Sequence, residues 1–316
     1  MERVLVTGSV GQIGSELTME LRKIYGNKNV VAGINRTQPK GVLKETGPYE
    51  KCDCTNFEQL KKVIKEYEIT QIYHLAAILS AVAEAKPNLA WRVNINGLYN
   101  VLELAREYKC AVFTPSSIGA FGSSTPKDNT PQDTIQRPNT MYGVTKVAGE
   151  LLCDYYYKRF GVDTRGVRYP GIISNETLPG GGTTDFAVEI YYEAVRNKEY
   201  TIPLQKGTFL DMMYMPDAIK AAIDLMNADS NKLKHRNAFN VTAMSFDPEM
   251  ITKSIKKLIP EFSVKYDVDP VKQEIADSWP NNMDDSAAKE EWNWNPEYDL
   301  DKMTKDMIEV LSKKLK

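Results

Sequence analysis

Val4-Leu5-Val6-Thr7-Gly8-Ser9-Val10-Gly11-Gln12-Ile13-Gly14 is the stretch that decides the fold. The apolar run from Arg3 to Thr7 reads as a strand and stops at Gly8. A helical pattern starts at Gln12 and continues to Tyr25. Between them three glycines stand in the spacing GxxGxxG, a variant of the GxGxxG fingerprint. Gly8 makes the tight turn, Gly11 lets a phosphate approach the backbone, and Gly14 lets helix and strand pack closely. The helix N-terminus, with Gln12 and Ile13 in its first turn, faces the phosphate charge. The stretch reads as a dinucleotide cradle, the alternative being a glycine turn without a ligand.

Working outward, strand-like and helix-like segments alternate through the first half. Strands are expected at Asn29–Ile34, Tyr49–Cys52, Gln71–Leu75, Cys110–Thr114 and Val162–Tyr169. Helices are expected at Phe57–Glu68, Leu89–Tyr108 (with Gly97 inside it) and Val144–Phe160. Such alternation implies crossover units and a parallel sheet. The fold class is therefore α/β, a Rossmann-type doubly wound parallel sheet, with a smaller C-terminal substrate-binding lobe. The expected dinucleotide-binding domain is 1–173, with 217–245 returning to it. The expected lobe is 174–216 with 246–316, including a flexible turn at Pro179–Thr184 that could let it close. Beyond Gly171, helix patterns cover Asp185–Arg196, Pro216–Met226, Pro248–Ile259 and Asp301–Leu315. Strand-to-helix loops of such a sheet gather at one edge, where ligands bind. Gly8–Gly14, Ala76–Ala83 and Pro115–Gly122 are three of them.

Composition narrows the function. The 316 residues are 42% hydrophobic and 26% charged, which argues against disorder. A net charge of −2 and a pI near 5.9 argue against broad nucleic-acid binding. No apolar run approaches the roughly 18 to 20 residues that span a bilayer. The first residues enter a strand with no room for a signal peptide, so a cytoplasmic protein is expected, or one mature after loss of a transit peptide. Cys52, Cys54, Cys110 and Cys153 sit in apolar settings, and His74 and His235 have no cysteines at ligand spacing. No metal site is expected, and the thiols read as buried and free.

The end of the second strand should read the adenosine ribose. An acid there bonds the 2′-hydroxyl of NAD, and an Arg suits the phosphate of NADP. This chain has Gly33-Ile34-Asn35-Arg36, with Ile34 where the acid is expected. Asn35 can bond a plain ribose and Arg36 a phosphate, so the choice between NAD and NADP stays open. Asp53, with Cys54 beside it, either accepts from the adenine amino group or caps the helix that starts at Phe57. Leu75, Ala76 and Ala77 provide small residues where the sheet edge passes the cofactor. His74 reads as a packed strand residue.

Ser116-Ser117 closes the fifth strand, where one hydroxyl can bond a substrate alcohol or simply form a turn. Downstream, Tyr142 and Lys146 stand four residues apart on one helical face. An ammonium beside a phenol favours the phenolate and makes a usable base. The same spacing recurs at Tyr298 and Lys302, which reads as surface. Context gives Tyr142 and Lys146 their meaning: the serines upstream and the glycine loop.

These parts resemble the short-chain dehydrogenase/reductase superfamily in its extended form. Further strings narrow the resemblance to the short-chain type of L-threonine 3-dehydrogenase, nearly end to end. They are Leu79-Ser80, Ser116–Gly122, Arg168–Ser174, Gly182–Asp185, Met212–Ala218 and Asp277–Pro280. The resemblance implies oxidation of the threonine side-chain alcohol to 2-amino-3-oxobutanoate, with NAD as acceptor. By position it implies Tyr142 as base, Lys146 as its support and a bond to the nicotinamide ribose, and Ser117 with Ser116 beside it as the catalytic hydroxyl. It implies Ser80, Gly182, Thr183, Thr184 and Trp279 near the amino acid, and Tyr169 near the cofactor. Trp279 can equally pack, and Thr183 and Thr184 can equally cap the following helix. Ile34 departs from the acid usual in the family.

Two rival readings follow. A nucleotide-sugar epimerase or dehydratase on the same scaffold usually carries an Arg-Asp pair where this chain has Leu210-Asp211, and that Arg grips a diphosphate. A dinucleotide-binding regulator without turnover tends to lose the Ser, Tyr and Lys that are present here. The resemblance also implies a homodimer through helices near 89–108 and 143–160. The apolar residues of 144–160 cover more than one stripe, more than a one-sided core contact requires.

Overall fold

The structure, a computed structural model, describes residues 2–176 and 183–315, with Thr183 described for its backbone alone. Gly182 and most of the expected turn at Pro179–Thr184 lie outside the described residues. The chain divides into two compact units. The first comprises 1–120, 139–168 and 219–239; the second comprises 121–138, 169–218 and 240–316. Residues 121–138, which the sequence reading placed with the first domain, group with the second unit.

The first unit is built on a six-stranded parallel sheet. Its strands are β1 (Val4–Thr7), β2 (Val30–Ile34), β3 (Tyr49–Lys51), β4 (Gln71–His74), β5 (Ala111–Phe113) and β6 (Thr164–Arg165), in the spatial order 3-2-1-4-5-6. This is the doubly wound Rossmann order, whose ligand crevice opens where the order reverses, beside β1 and β4. The register sets Thr7 opposite both Gly33 and His74. β1 and β2 are wholly buried, which a parallel sheet covered on both faces requires. Helices α1 (Gln12–Tyr25), α2 (Phe57–Glu66), α3 (Gly97–Tyr108) and α4 (Met141–Phe160) accompany it. Leu60, Val63 and Ile64 of α2, Leu98, Val101 and Leu102 of α3, and Cys153 and Tyr156 of α4 form one core with Leu5, Val31 and Ile72 of the sheet. All four cysteines are buried and free.

Three sequence expectations need correction. The helix expected over 89–108 is three pieces: Pro87–Trp91, a π-helical turn over Arg92–Asn96, and α3. Gly97 fits inside it because a Cβ would stand 2.7 Å from the Cys54 sulfur. The strand expected over 162–169 breaks at Gly166, whose Cβ would meet the Thr114 carbonyl at 2.4 Å. Thr164–Arg165 stays in the sheet, and Val167–Tyr169 is a separate strand. Helix α4 begins at Met141, ahead of the apolar pattern, because the Thr140 hydroxyl accepts from the Gly143 amide at 3.1 Å.

The second unit packs Phe186, Ile190 and Tyr191 of the helix Phe186–Arg196 against Met303, Met307 and Leu311 of the helix Leu300–Lys314. Strands Gly171–Ile173, Leu210–Tyr214 and Met244–Phe246 form one small sheet; Glu199–Ile202 and Ser263–Tyr266 form another. No described helix is long and apolar enough to cross a membrane.

Candidate active site

The glycine loop shows what each glycine does. Gly8 has φ +72°, and a Cβ there would meet the Ala76 nitrogen at 2.7 Å. A Cβ on Gly14 would stand 2.2 Å from the Gly8 carbonyl oxygen. Gly11 is different: its Cβ would touch only the Gly8 oxygen, at 3.2 Å, and otherwise face open space. Two glycines thus close the turn, and the third leaves room. No side chain caps the N-terminus of α1, and no acid lies in its first turn, where Gln12 and Ile13 are partly exposed. This cradle fits a pyrophosphate. Ser9 is buried and donates to the Gly33 carbonyl at 3.0 Å, tying the loop to β2.

At the end of β2, Ile34 is buried, and Asn35 and Arg36 are exposed. Asp53 accepts from the Thr55 amide at 2.9 Å and the Thr55 hydroxyl at 2.8 Å. It does not cap the next helix: Asn56 does, accepting from the Gln59 amide at 3.1 Å. Burial raises the Asp53 carboxyl, but hydrogen bonds from Thr55 and Asn35 outweigh it and hold the group below its ordinary range. The Cys54 thiol faces Gly97 and the Val93 carbonyl, and burial raises it to about 12, so it serves packing. Leu75, Ala76 and Ala77 follow β4, half-buried, with the Leu75 amide donating to the Thr7 carbonyl at 3.1 Å. Burial, then the charge of Lys146, lowers His74 to about 3. The imidazole is neutral, and its Nδ1 shares a 2.8 Å hydrogen bond with the Thr7 hydroxyl.

Tyr142 lies in the first turn of α4, half-buried. Its ring lies beside Gly119, where a Cβ would be 3.4 Å from the ring edge and 3.5 Å from the Ser117 Oγ. The Gly119 amide donates to Ser117 Oγ at 3.1 Å, which leaves the Ser117 hydrogen available to another oxygen. Lys146, one turn along α4, places Nζ 5.4 Å from the Tyr142 ring centroid and donates to the Pro115 carbonyl at 2.7 Å. The structure therefore brings Tyr142, Lys146 and Ser117 together. It separates Ser116 from them: that side chain is buried and donates to the Glu150 carboxylate. Tyr298, read from the sequence as surface, is half-buried against the second unit's core: its ring meets Tyr214 edge-on at 4.9 Å, and Lys302 lies 4.4 Å from its centroid.

Ser80 opens the short helix Ser80–Ala85 and is partly buried. Tyr169 is buried, and its hydroxyl donates to the Ala218 carbonyl at 2.5 Å, so the phenol is already committed. In the second unit, the Thr184 methyl lies against Gly171. Trp279 is half-buried against that unit's core.

The sequence reading missed Glu150, Arg168, Asn94 and Thr145. Asn94, in the π-turn, accepts from the Ile78 amide at 2.7 Å and donates to its carbonyl at 3.1 Å and to Thr145 Oγ at 3.0 Å. Glu150 repeats the helix face of Lys146 four residues on, and Arg168 sits in an apolar strand. Two opposite charges in otherwise buried positions were the signal that could have found them. Among the described residues, no group of three or more His, Cys, Asp or Glu could hold a metal.

Residues 4–242 match the family model described as the NAD dependent epimerase/dehydratase family. A Staphylococcus aureus protein described as an uncharacterized epimerase/dehydratase is 54% identical over 99% of this chain and 98% of its own. A solved L-threonine dehydrogenase from Clostridium difficile is 60% identical, with TM-score 0.98 over 99% of this chain and 98% of that one. An L-threonine dehydrogenase from Phytophthora infestans is 48% identical, with TM-score 0.94 over 99% of this chain and 100% of that one.

Proposed function

We propose that this chain, which belongs to the NAD dependent epimerase/dehydratase family, oxidises the side-chain alcohol of L-threonine to 2-amino-3-oxobutanoate. The observation that carries the reading is the meeting of Tyr142 and Ser117 at Gly119, with Lys146 beside the Tyr142 ring, in the unit that holds the glycine cradle. The likeness to solved L-threonine dehydrogenases supports the choice of substrate.

A bound nicotinamide dinucleotide supplies the hydride acceptor, with NAD proposed before NADP. The chain's own residues supply binding, geometry and proton transfer. The glycine loop and the N-terminus of α1 hold the pyrophosphate. Asn35, Arg36 and Asp53 lie where the adenosine half belongs. Ser117 donates its hydroxyl hydrogen to the substrate oxygen, because its own oxygen already accepts from Gly119. Tyr142 Oη takes the alcohol proton as the carbon gives up its hydride. Lys146, anchored on Pro115, holds positive charge beside the phenol. Ser80, Gly182, Thr183, Thr184 and Trp279 are proposed to meet the amino acid.

Leu210 counts against a nucleotide sugar. It is buried in a strand of the second unit and offers no cation to a diphosphate. Purified protein incubated with L-threonine and NAD or NADP should generate reduced nicotinamide absorbance. Silence with threonine under both cofactors, together with turnover of a nucleotide sugar, would refute the assignment.

A further inference from the structure

Glu150 lies on α4 four residues beyond Lys146 and eight beyond Tyr142, on the face turned to the Ser116–Ser117 strand. It is buried, 8% exposed, and so are its partners Ser116 and Arg168, at 6% each. Arg168 grips both carboxylate oxygens, Nε to Oε1 at 3.1 Å and the terminal nitrogen to Oε2 at 2.9 Å. Ser116 donates its hydroxyl to the same Oε1. A bidentate guanidinium–carboxylate pair fixes direction as well as charge. A carboxylate so deeply buried is tolerable because every partner is in place.

The consequence lies one residue to either side of Ser116. Pro115 presents the carbonyl that holds Lys146. Ser117 presents the oxygen that meets Gly119 next to the Tyr142 ring. Adjacent residues of a strand face opposite ways, so fixing Ser116 toward Glu150 aims Ser117 away from it. Lys146 and Glu150 belong to the same helix, so one side chain of that helix sets the strand that another depends on. We infer that Glu150, held by Arg168, is a positioning residue that acts through Ser116 to set Ser117 and the Pro115–Lys146 contact for reaction. The inference rests on the proposed alcohol oxidation only for its kinetic readout. Ser116 then acts as a link and does not touch substrate.

The test is Ser116→Ala, which removes one hydrogen bond and leaves the Glu150–Arg168 pair intact. Its kcat should fall about tenfold, a misplacement effect, with the KM for cofactor within about twofold. Its thermal midpoint should stay within a few degrees of the parent. Competitive acetylation with acetic anhydride, read peptide by peptide, supplies a second readout independent of turnover. Lys146 should label severalfold faster in the variant than in the parent, relative to exposed Lys158 on the same helix. Glu150→Gln should shift both readouts further; if it does not fold, Ser116→Ala alone decides. An unchanged kcat with unchanged Lys146 labelling overturns the inference. A parent protein inactive on threonine would overturn the functional reading, and Lys146 labelling would still decide this one.

Discussion

Lys146 donates from Nζ to the carbonyl oxygen of Pro115 at 2.7 Å, immediately ahead of the Ser116–Ser117 strand. The ammonium is thus anchored by backbone, while it lies 5.4 Å from the ring centroid of Tyr142. A carboxylate partner would have neutralised it. A carbonyl uses one of its three hydrogens and leaves two for other acceptors. The strand end and the helix therefore build the proposed reacting corner jointly.

Tyr142→Phe removes one oxygen and keeps the ring beside Gly119. Loss of a positioned base should cut kcat by about 10²- to 10⁴-fold. The cofactor dissociation constant, read by fluorescence titration, should stay within about threefold, because the pyrophosphate cradle lies at α1. Activity within a few-fold of the parent would remove Tyr142 from the proposed role.

Local signals made the fold legible. Strand β1, the glycine spacing and the α1 pattern are contiguous, and each depends on neighbours within a few residues. The Tyr142 helix was visible for the same reason, although its true start was set by the Thr140 cap and not by apolar spacing. What stayed hidden depends on residues distant in sequence. The break at Gly166 is imposed by the Thr114 carbonyl, and the π-turn at Arg92–Asn96 interrupts a sequence whose apolar spacing looks continuous. Ser116 and Ser117 are chemically alike neighbours, and their contacts separate them: Ser116 donates to Glu150, 34 residues on, while Ser117 accepts from Gly119. Asp53 resembled a cap because its composition fits one, yet Asn56 is nearer to the first free amides.

The glycines of the cradle should separate by variant. Gly14→Ala places a methyl 2.2 Å from the Gly8 carbonyl, against backbone that has nowhere to move. It should lower the thermal midpoint of the protein without any ligand present. Gly11→Ala meets one atom at 3.2 Å and should fold normally. Its cost should appear as weaker cofactor binding, about tenfold or more by calorimetry, because the methyl enters the space a phosphate needs. Equal thermal midpoints for the two variants would contradict this division.

Arg36 is exposed directly after Ile34, which is buried and carries no charge. A guanidinium there favours a 2′-phosphate, and an acid repels it. Arg36→Asp should therefore lower kcat/KM for NADP by about tenfold or more while changing that for NAD by less than about threefold. Parallel losses with the two cofactors would mean that Arg36 reads no phosphate.

Asp211 is 1% exposed and accepts from the Thr242 hydroxyl at 2.5 Å and the Met283 amide at 2.8 Å. Burial raises its carboxyl to about 8, and the nearby Asp285, itself paired with Lys289 at 2.7 Å, adds to the rise. In the unfolded chain the group titrates near about 3.9. Between those values the folded state holds the extra proton, so this group's contribution to stability falls as pH rises from about 4 to about 8. Asn at 211 can accept from Met283 and donate to Thr242 without a titratable proton. The difference in thermal midpoint, Asp211→Asn minus parent, should grow in favour of the variant from pH 5 to pH 8. A difference that stays constant over that range would refute the assignment.

Helix α4 also carries apolar side chains that no described residue covers. Leu151 is 63% exposed, Tyr155 53% and Val144 41%; Trp91 and Tyr99, at 45% and 48%, belong to the same unit. Large exposed aromatics and leucines on a well-formed helix are costly to leave in water and mark association surfaces. We predict a homodimer through this helix, with light scattering at micromolar concentration giving twice the chain mass of 35.7 kDa. Leu151→Glu should convert it to a monomer, because a charge at the centre of a self-complementary patch is buried twice, once from each copy. The Leu151 side chain points away from the core, so the monomeric variant should remain folded. A parent that is already monomeric, or a Leu151→Glu variant that stays dimeric, would show that this face is not the interface.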